Sequence, residues 1–178
     1  MILQRSAVSG WLVILRLYAG FFWLVHGLPK FLNPSMFMPP NGYMGQMIAH
    51  ASQTSTGFYH DFLVNTVTPN IFLFAELVRL AEVLVGISLI LGFLTPLGGL
   101  VGCFLALNYM AASGDFHSAM GLGSLNATAL VLSFLAVVLP LGRTAGIDAL
   151  LVRKPKSRAV KAEFVDDEPL SGPRAPTD

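Results

Sequence analysis

Charge is what this chain most lacks. Of its 178 residues only 12% are Asp, Glu, Lys or Arg, whereas 54% are apolar; ordinary soluble domains carry about 25% charge. Even that small complement is concentrated at one end. From Arg153 onward lie six of the 11 basic and five of the 10 acidic residues. The preceding 152 residues therefore hold five of each sign, too few to clothe a water-facing surface, and lipid is the expected solvent. Cysteine is nearly absent. Cys103 is alone in an apolar run, so it closes no internal disulfide and reports no redox compartment. The net charge of +1 excludes the basic stripe that a nucleic-acid surface needs. Paired metal ligands, a Gly-rich phosphate loop and a Ser/His/Asp set are also missing as sequence patterns, and neither a metal nor a nucleotide is expected.

What the chain does have is long apolar segments. About 20 helical residues cross a bilayer core of about 30 Å. Four stretches qualify, at about 8–28 (ending at Pro29), 70–94, 96–113 and 122–141. They are apolar all round rather than alternating, and lipid tolerates only helices or closed barrels, so helices are expected. The short turn from Gly92 to Pro96 makes the second and third an antiparallel hairpin. The fold class is thus all-α: an integral membrane four-helix bundle, residues 1–152, with a long extracytoplasmic loop between helices 1 and 2. That loop, Pro29 to Pro69, is rich in Pro, Gly, Asn, Ser and Thr, and a short interfacial helix is expected near Tyr43 to His50. Residues 153–178 read as a disordered, charged cytoplasmic tail. Arg5 precedes an apolar stretch as in a signal peptide, but Arg16 interrupts it and no small-residue cleavage site follows, so a retained first span is expected.

Orientation follows from the basic residues. Four spans place both termini on one side, with Arg5, Arg143 and five basic residues of the tail; the opposite side holds only Lys30. The positive-inside rule puts that richer side in the cytoplasm.

Charges within the spans carry the functional information, because each costs roughly 2.5–3.5 kcal/mol at the bilayer centre and must pair or face inward. Glu76, Arg79 and Glu82 cover an arc of about 120° on the second helix, and Trp23, His26, Gly27 and Lys30 fall within about 80° of Arg16 on the first. Asn108 and Asp115 share a face of the third helix, where Gly98, Gly102 and Ala106 form a small-residue stripe suited to close packing. Asn126 and Ser133 share a side of the fourth. Arg16 and Glu82 are expected to form a structural buried pair near mid-bilayer. The remaining groups sit toward the outer half and suggest a polar cavity. The plainer alternatives stay open: Asn108 as a hydrogen bond between helices, His26 and His117 as interfacial histidines, Tyr109 and Trp23 as packing residues.

Three stretches carry a family resemblance. Arg16-Leu-Tyr-Ala-Gly-Phe-Phe-Trp-Leu-Val-His-Gly-Leu-Pro-Lys30-Phe resembles the first helix of the DoxX family, an arginine followed by a Gly-x-x-Lys ending. Ala81-Glu82-Val-Leu-Val-Gly86 through Gly92-Phe-Leu-Thr-Pro96 is similar to its Glu-x-x-x-Gly helix and Leu-Gly-x-x-Thr-Pro hairpin. The third is the Asn108 helix with its Gly-rich turn. The family includes the DoxD-like small membrane subunit of thiosulfate:quinone oxidoreductase, and Arg16, Lys30 and Glu82 match its polar positions. The resemblance implies a membrane subunit of a quinone-linked oxidoreductase, acting on thiosulfate or another small reductant, with quinone as cofactor and a membrane or peripheral protein as partner. It also implies the cytoplasmic (inner) membrane of a bacterium or archaeon. In that reading Glu76 and His26 are the catalytic proton carriers, and Arg79, Lys30, Asn108 and His117 bind the quinone. The rival reading is a non-catalytic membrane scaffold or accessory subunit, in which the buried charges are structural.

Overall fold

The computed structural model describes residues 2–117 and 121–151; side chains are described from Val8, and those of His117 and Leu151 are not. The expected disordered tail at 153–178 and the side chain of His117 lie outside the described residues. Every described element is helical: α1 (Ile2–Leu32), α2 (Pro34–Phe37), α3 (Tyr43–Thr54), α4 (Gly57–Phe62), a π-helical turn (Leu63–Val67), a 3-10 turn (Thr68–Asn70), α5 (Ile71–Leu91), α6 (Thr95–Ser113), two further 3-10 turns (Asp115–His117 and Gly121–Gly123), α7 (Leu125–Val138) and α8 (Ile147–Leu151).

Among the described residues two helices are long and apolar enough to cross a membrane, over Val8–Leu32 and Thr95–Ser113. The other two expected spans differ in an instructive way. With 21 residues α5 has the length, but Glu76, Arg79 and Glu82 lie within it. Conversely α7 is apolar but has only 14 residues, about 21 Å of helix. Large apolar side chains are nevertheless exposed on all four, among them Phe21, Leu84, Leu100 and Phe134. Soluble monomers rarely show such continuous apolar surface.

Helix α1 does not stop at Pro29. It runs through it to Leu32, where the Asn33 N–H donates to the Pro29 carbonyl at 2.8 Å. The proline forfeits one backbone hydrogen bond, and the extra turn it permits is what carries Lys30 into the interior. The segment after α1 is also more than an interfacial loop. Met44, Ile48 and Ala51 of α3 bury with Phe37, Leu63, Val67, Ala75 and Ala112 in a second core beside α5 and α6.

Glycines set how the helices meet. A Cβ at Gly20 would stand 2.9 Å from the Gly86 carbonyl, and one at Gly27 would stand 2.8 Å from the Glu82 Cβ. So α1 lies antiparallel against α5 with Gly20 opposite Gly86 and Gly27 opposite Glu82, a close approach that larger residues would prevent. The stripe on α6 is shared between two neighbours: Gly98 rests on Ser88 of α5 and Gly102 on Ser133 of α7. The main core, with Ala19, Trp23, Val85, Leu89, Leu105, Leu132 and Ala136, lies among these four helices. At the foot of α5, Gly92 takes a left-handed conformation (φ 64°) that ends the helix.

This register corrects the expected pair of Arg16 and Glu82. Arg16 is eleven residues from Gly27, about 16 Å along α1, and so lies level with the Gly92 turn rather than with Glu82. Its Nη1 donates to the carbonyls of Leu141 and Thr144 and its Nη2 to that of Ala145, each at 3.2 Å.

Candidate functional site

Lys30 takes the place expected of Arg16. Seven residues separate it from Trp23, two helical turns, so both project from the same face of α1. Its Nζ donates to Glu82 Oε1 at 2.5 Å and to the Tyr109 hydroxyl at 2.8 Å. The Tyr109 hydroxyl in turn donates to Glu82 Oε1 at 2.6 Å. The ammonium also lies over the Phe37 ring, 4.6 Å from its centroid. Glu82 is 1% exposed, and its other oxygen, Oε2, is buried with no hydrogen-bond partner. A fully paired Oε1 beside an orphaned Oε2 is unusual, since an unsatisfied buried acceptor costs about 1–3 kcal/mol.

Glu82, Lys30 and Tyr109 line a cavity of about 220 Å³. Its walls are Phe22, Trp23 and His26 from α1 and Leu125, Asn126 and Ala129 from α7, with Tyr43 of α3 beside them. The Trp23 indole is fixed by donating Nε1 to Ser133 Oγ at 3.1 Å. An apolar cavity of about 150 Å³ takes up benzene, whereas drug-sized ligands need about 300–1,000 Å³. The space therefore fits one substituted ring. Its apolar walls and the few polar side chains among them, His26, Lys30, Tyr43 and Tyr109, suit a ring carrying oxygen substituents, so these residues fit a quinone-type headgroup.

Of the residues expected at the site, His26 and Lys30 line this cavity. Glu76 and Arg79 do not. They pair with each other, Arg79 Nη2 donating to Glu76 Oε1 at 2.6 Å and Nε to Oε2 at 2.7 Å, and Arg79 stacks on Phe31. Asn108 donates back to the Phe104 carbonyl of its own helix at 2.8 Å and lines a separate apolar cavity with Met44, Met47, Tyr59 and Phe74. Tyr109 was the residue hardest to foresee. It follows Asn108 directly and so points about 100° away, into the neighbourhood of Glu82. Tyr43 comes from the long connection, where the sequence pattern gives no register.

At the turn between α6 and α7 the Asp115 carboxylate accepts from Asn126 Nδ2 at 2.9 Å and from Ser124 Oγ at 2.8 Å. Ser124 also caps α7 by accepting from the Ala127 N–H. The hydrogen bond from Asn126, with those from Ser124 and Ser113, holds the Asp115 carboxyl below the usual carboxylate range despite the opposing effect of partial burial. A carboxylate with a lowered folded pKa contributes stability above its unfolded value and loses it as pH falls through the folded one. Asp115→Asn is therefore expected to lose about 1–2 kcal/mol at neutral pH. The difference from wild type should shrink once pH drops below about 4. Thermal melts of both proteins across pH would show this; parallel curves at every pH would dismiss it.

With the geometry in view, the comparison with known families becomes specific. Residues 11–166 match the DoxD family, described as TQO small subunit DoxD. The chain belongs to the DoxD family. That family is the small subunit of thiosulfate:quinone oxidoreductase, a branch of the wider family that the three sequence stretches resemble, and the match extends past both ends of those stretches. Two apolar helices and membership of this family indicate a membrane protein. The family's description is that of a small subunit of a complex. Searches of curated proteins and of solved structures found no match.

Proposed function

We propose that this chain is the membrane subunit of a quinone-linked oxidoreductase, spanning the bilayer as a four-helix bundle with both termini cytoplasmic. The quinone headgroup would be held in the cavity between α1 and α7. The observation that carries this reading is a cavity sized for one ring with Glu82 among its lining residues, the carboxylate's Oε2 being buried without a partner. A bound quinone supplies a two-electron, two-proton acceptor. The chain's own residues supply the rest. Glu82 Oε2 accepts a hydrogen bond from a ring hydroxyl, and Lys30 and Tyr109 hold that carboxylate in place. His26, exposed at the cavity's mouth, is placed to pass a proton between Glu82's surroundings and the outer side. Electrons come from a small reductant, thiosulfate in the family's description, or through the partner subunit.

The scaffold reading keeps one observation in its favour: Glu82 Oε1, Lys30 and Tyr109 already satisfy one another, as a purely structural network would. Filling the cavity separates the two. Ala129 lines it and is 4% exposed, so Ala129→Leu puts three carbons into empty space without touching the ion pair. A short-chain benzoquinone and its hydroquinone are titrated into the detergent-purified protein. Wild type is expected to bind at least one form, and Ala129→Leu to bind it at least tenfold more weakly while melting at the wild-type temperature. Wild-type protein that binds neither form, or a variant that binds as well as wild type, would leave the scaffold reading in possession.

A further inference from the structure

The polar groups around the Glu82 cavity are almost all acceptors, and we infer from this that the site is built for a ring bearing hydroxyl groups: the reduced, hydroquinone form of its ligand rather than the quinone. The inference rests on the headgroup reading just given and adds the redox form.

The potential donors are already engaged. Trp23 Nε1 is given to Ser133. Lys30 donates to Glu82 and Tyr109, and its ammonium also faces the Phe37 ring. The single Tyr109 proton goes to Glu82 Oε1. Asn126 spends its amide N–H groups on Ser113 Oγ at 3.2 Å and Asp115 Oδ2 at 2.9 Å. A carboxylate can only accept, so the Asn126 NH₂ must face Asp115, and its free polar atom is the carbonyl Oδ1.

The acceptors remain. Glu82 Oε2 is buried and unpartnered. His26 Nδ1 lies 2.7 Å from the Phe22 carbonyl, which can only accept; Nδ1 therefore carries a proton, and of the two neutral tautomers this contact selects the one with its lone pair on Nε2. Asn126 Oδ1 is the third acceptor, and Glu82, His26 and Asn126 all belong to the lining of one cavity. Tyr43 adds a hydroxyl able to play either part. A quinone presents two carbonyl oxygens, which only accept, and its oxygens would face Glu82 Oε2 unfavourably. A hydroquinone presents two O–H donors and satisfies the orphaned oxygen. A buried polar group left unpaired is what makes such discrimination large.

A site that prefers the reduced form makes its bound quinone easier to reduce. Each tenfold of preference raises the two-electron potential of the bound couple by about 30 mV. For a subunit that delivers electrons to quinone from a mild reductant, the effect acts in the useful direction.

The test compares the two redox forms on one protein. Full-length chain in detergent is titrated anaerobically with a short-chain benzoquinone and, separately, with the same compound held reduced. The hydroquinone is expected to bind at least tenfold more tightly. Glu82→Gln keeps an oxygen for Lys30 and Tyr109 but replaces Oε2 by an N–H donor, and is expected to reverse the preference toward the quinone. Should that variant fail to fold, His26→Leu removes an exposed acceptor without disturbing the buried pair. It is expected to weaken hydroquinone binding severalfold more than it weakens quinone binding. Equal affinities in wild type, tighter quinone binding, or an equal loss of both forms in His26→Leu would overturn the inference while leaving the headgroup site standing. Binding of neither form would remove that site as well.

Discussion

Replacing Lys30 by Met is expected to lower the stability of the detergent-extracted protein by about 3–5 kcal/mol, the usual consequence of stranding one member of a buried ion pair. The stranded group is Glu82, which is 1% exposed and retains only Tyr109 as a partner. Removing both charges should be far milder. In Lys30→Met/Glu82→Leu no ion is left behind, but the Tyr109 hydroxyl becomes an orphan, a cost of about 1–3 kcal/mol. Adding Tyr109→Phe deletes that orphan, so the triple variant is expected to melt close to wild type while losing ring binding entirely. Stability and ligand binding would then part company: the polar trio is tolerated by the fold and required by the site. A triple variant as unstable as Lys30→Met would show instead that the trio fixes the helix register itself.

The same trio marks how far the sequence could be read. A charge in an apolar segment must turn inward, so Arg16, Lys30 and Glu82 could all be recognised as interior groups from composition and helical phase alone. Which of them meet is a question of how far one helix slides along another. That offset is set by where α1 and α5 can approach most closely, at Gly20 against Gly86 and Gly27 against Glu82. Glycines in a helix announce a close approach but not its counterpart, and one cation for one anion looks equally good at either register. That Glu76 and Arg79 stand outside the Glu82 cavity has a related origin. They lie about 120° and about 60° around the helix from Glu82, and a salt bridge three residues apart lets them satisfy each other at the helix surface without a cavity. Tyr43 and Phe37 reach Lys30's neighbourhood only because residues 33–70 fold back as helices on α5 and α6. No periodic pattern in a Pro-, Gly- and Ser-rich connection specifies that return.

Arg16 has a role that composition alone cannot suggest, and it leads to the second large expected effect. The guanidinium holds three carbonyls of the segment after α7, those of Leu141, Thr144 and Ala145. Four residues past Thr144, Asp148 reaches the start of α6, accepting from the Leu94 N–H at 2.8 Å and the Thr95 N–H at 3.0 Å. The Asp148 N–H donates to the Gly92 carbonyl at 2.8 Å. One short segment thereby ties α1 to the α5–α6 turn, and it supplies the cap that lets Leu94 hold its left-handed φ of 50°. The fork geometry of the guanidinium is essential, because its donors sit on two nitrogens held apart in a plane, whereas a lysine ammonium gathers its three donors on one nitrogen and cannot span the same carbonyls in these directions. Arg16→Lys is therefore expected to be nearly as damaging as Arg16→Met, each costing about 3–4 kcal/mol through lost charge-assisted hydrogen bonds. Gly92→Ala should produce part of the same defect from the other side. Its φ of 64° disfavours any side chain, and a Cβ there would press on Arg16 Nη1; about 1–2 kcal/mol is expected from the backbone alone. Hydrogen exchange would localise the damage. Amides of 141–151 and of the first turn of α6 should exchange faster in all three variants, while those around Lys30 and Glu82 keep their wild-type protection. An Arg16→Lys protein that melts with wild type and keeps 141–151 protected would mean that a single positive charge suffices there and the fork does not.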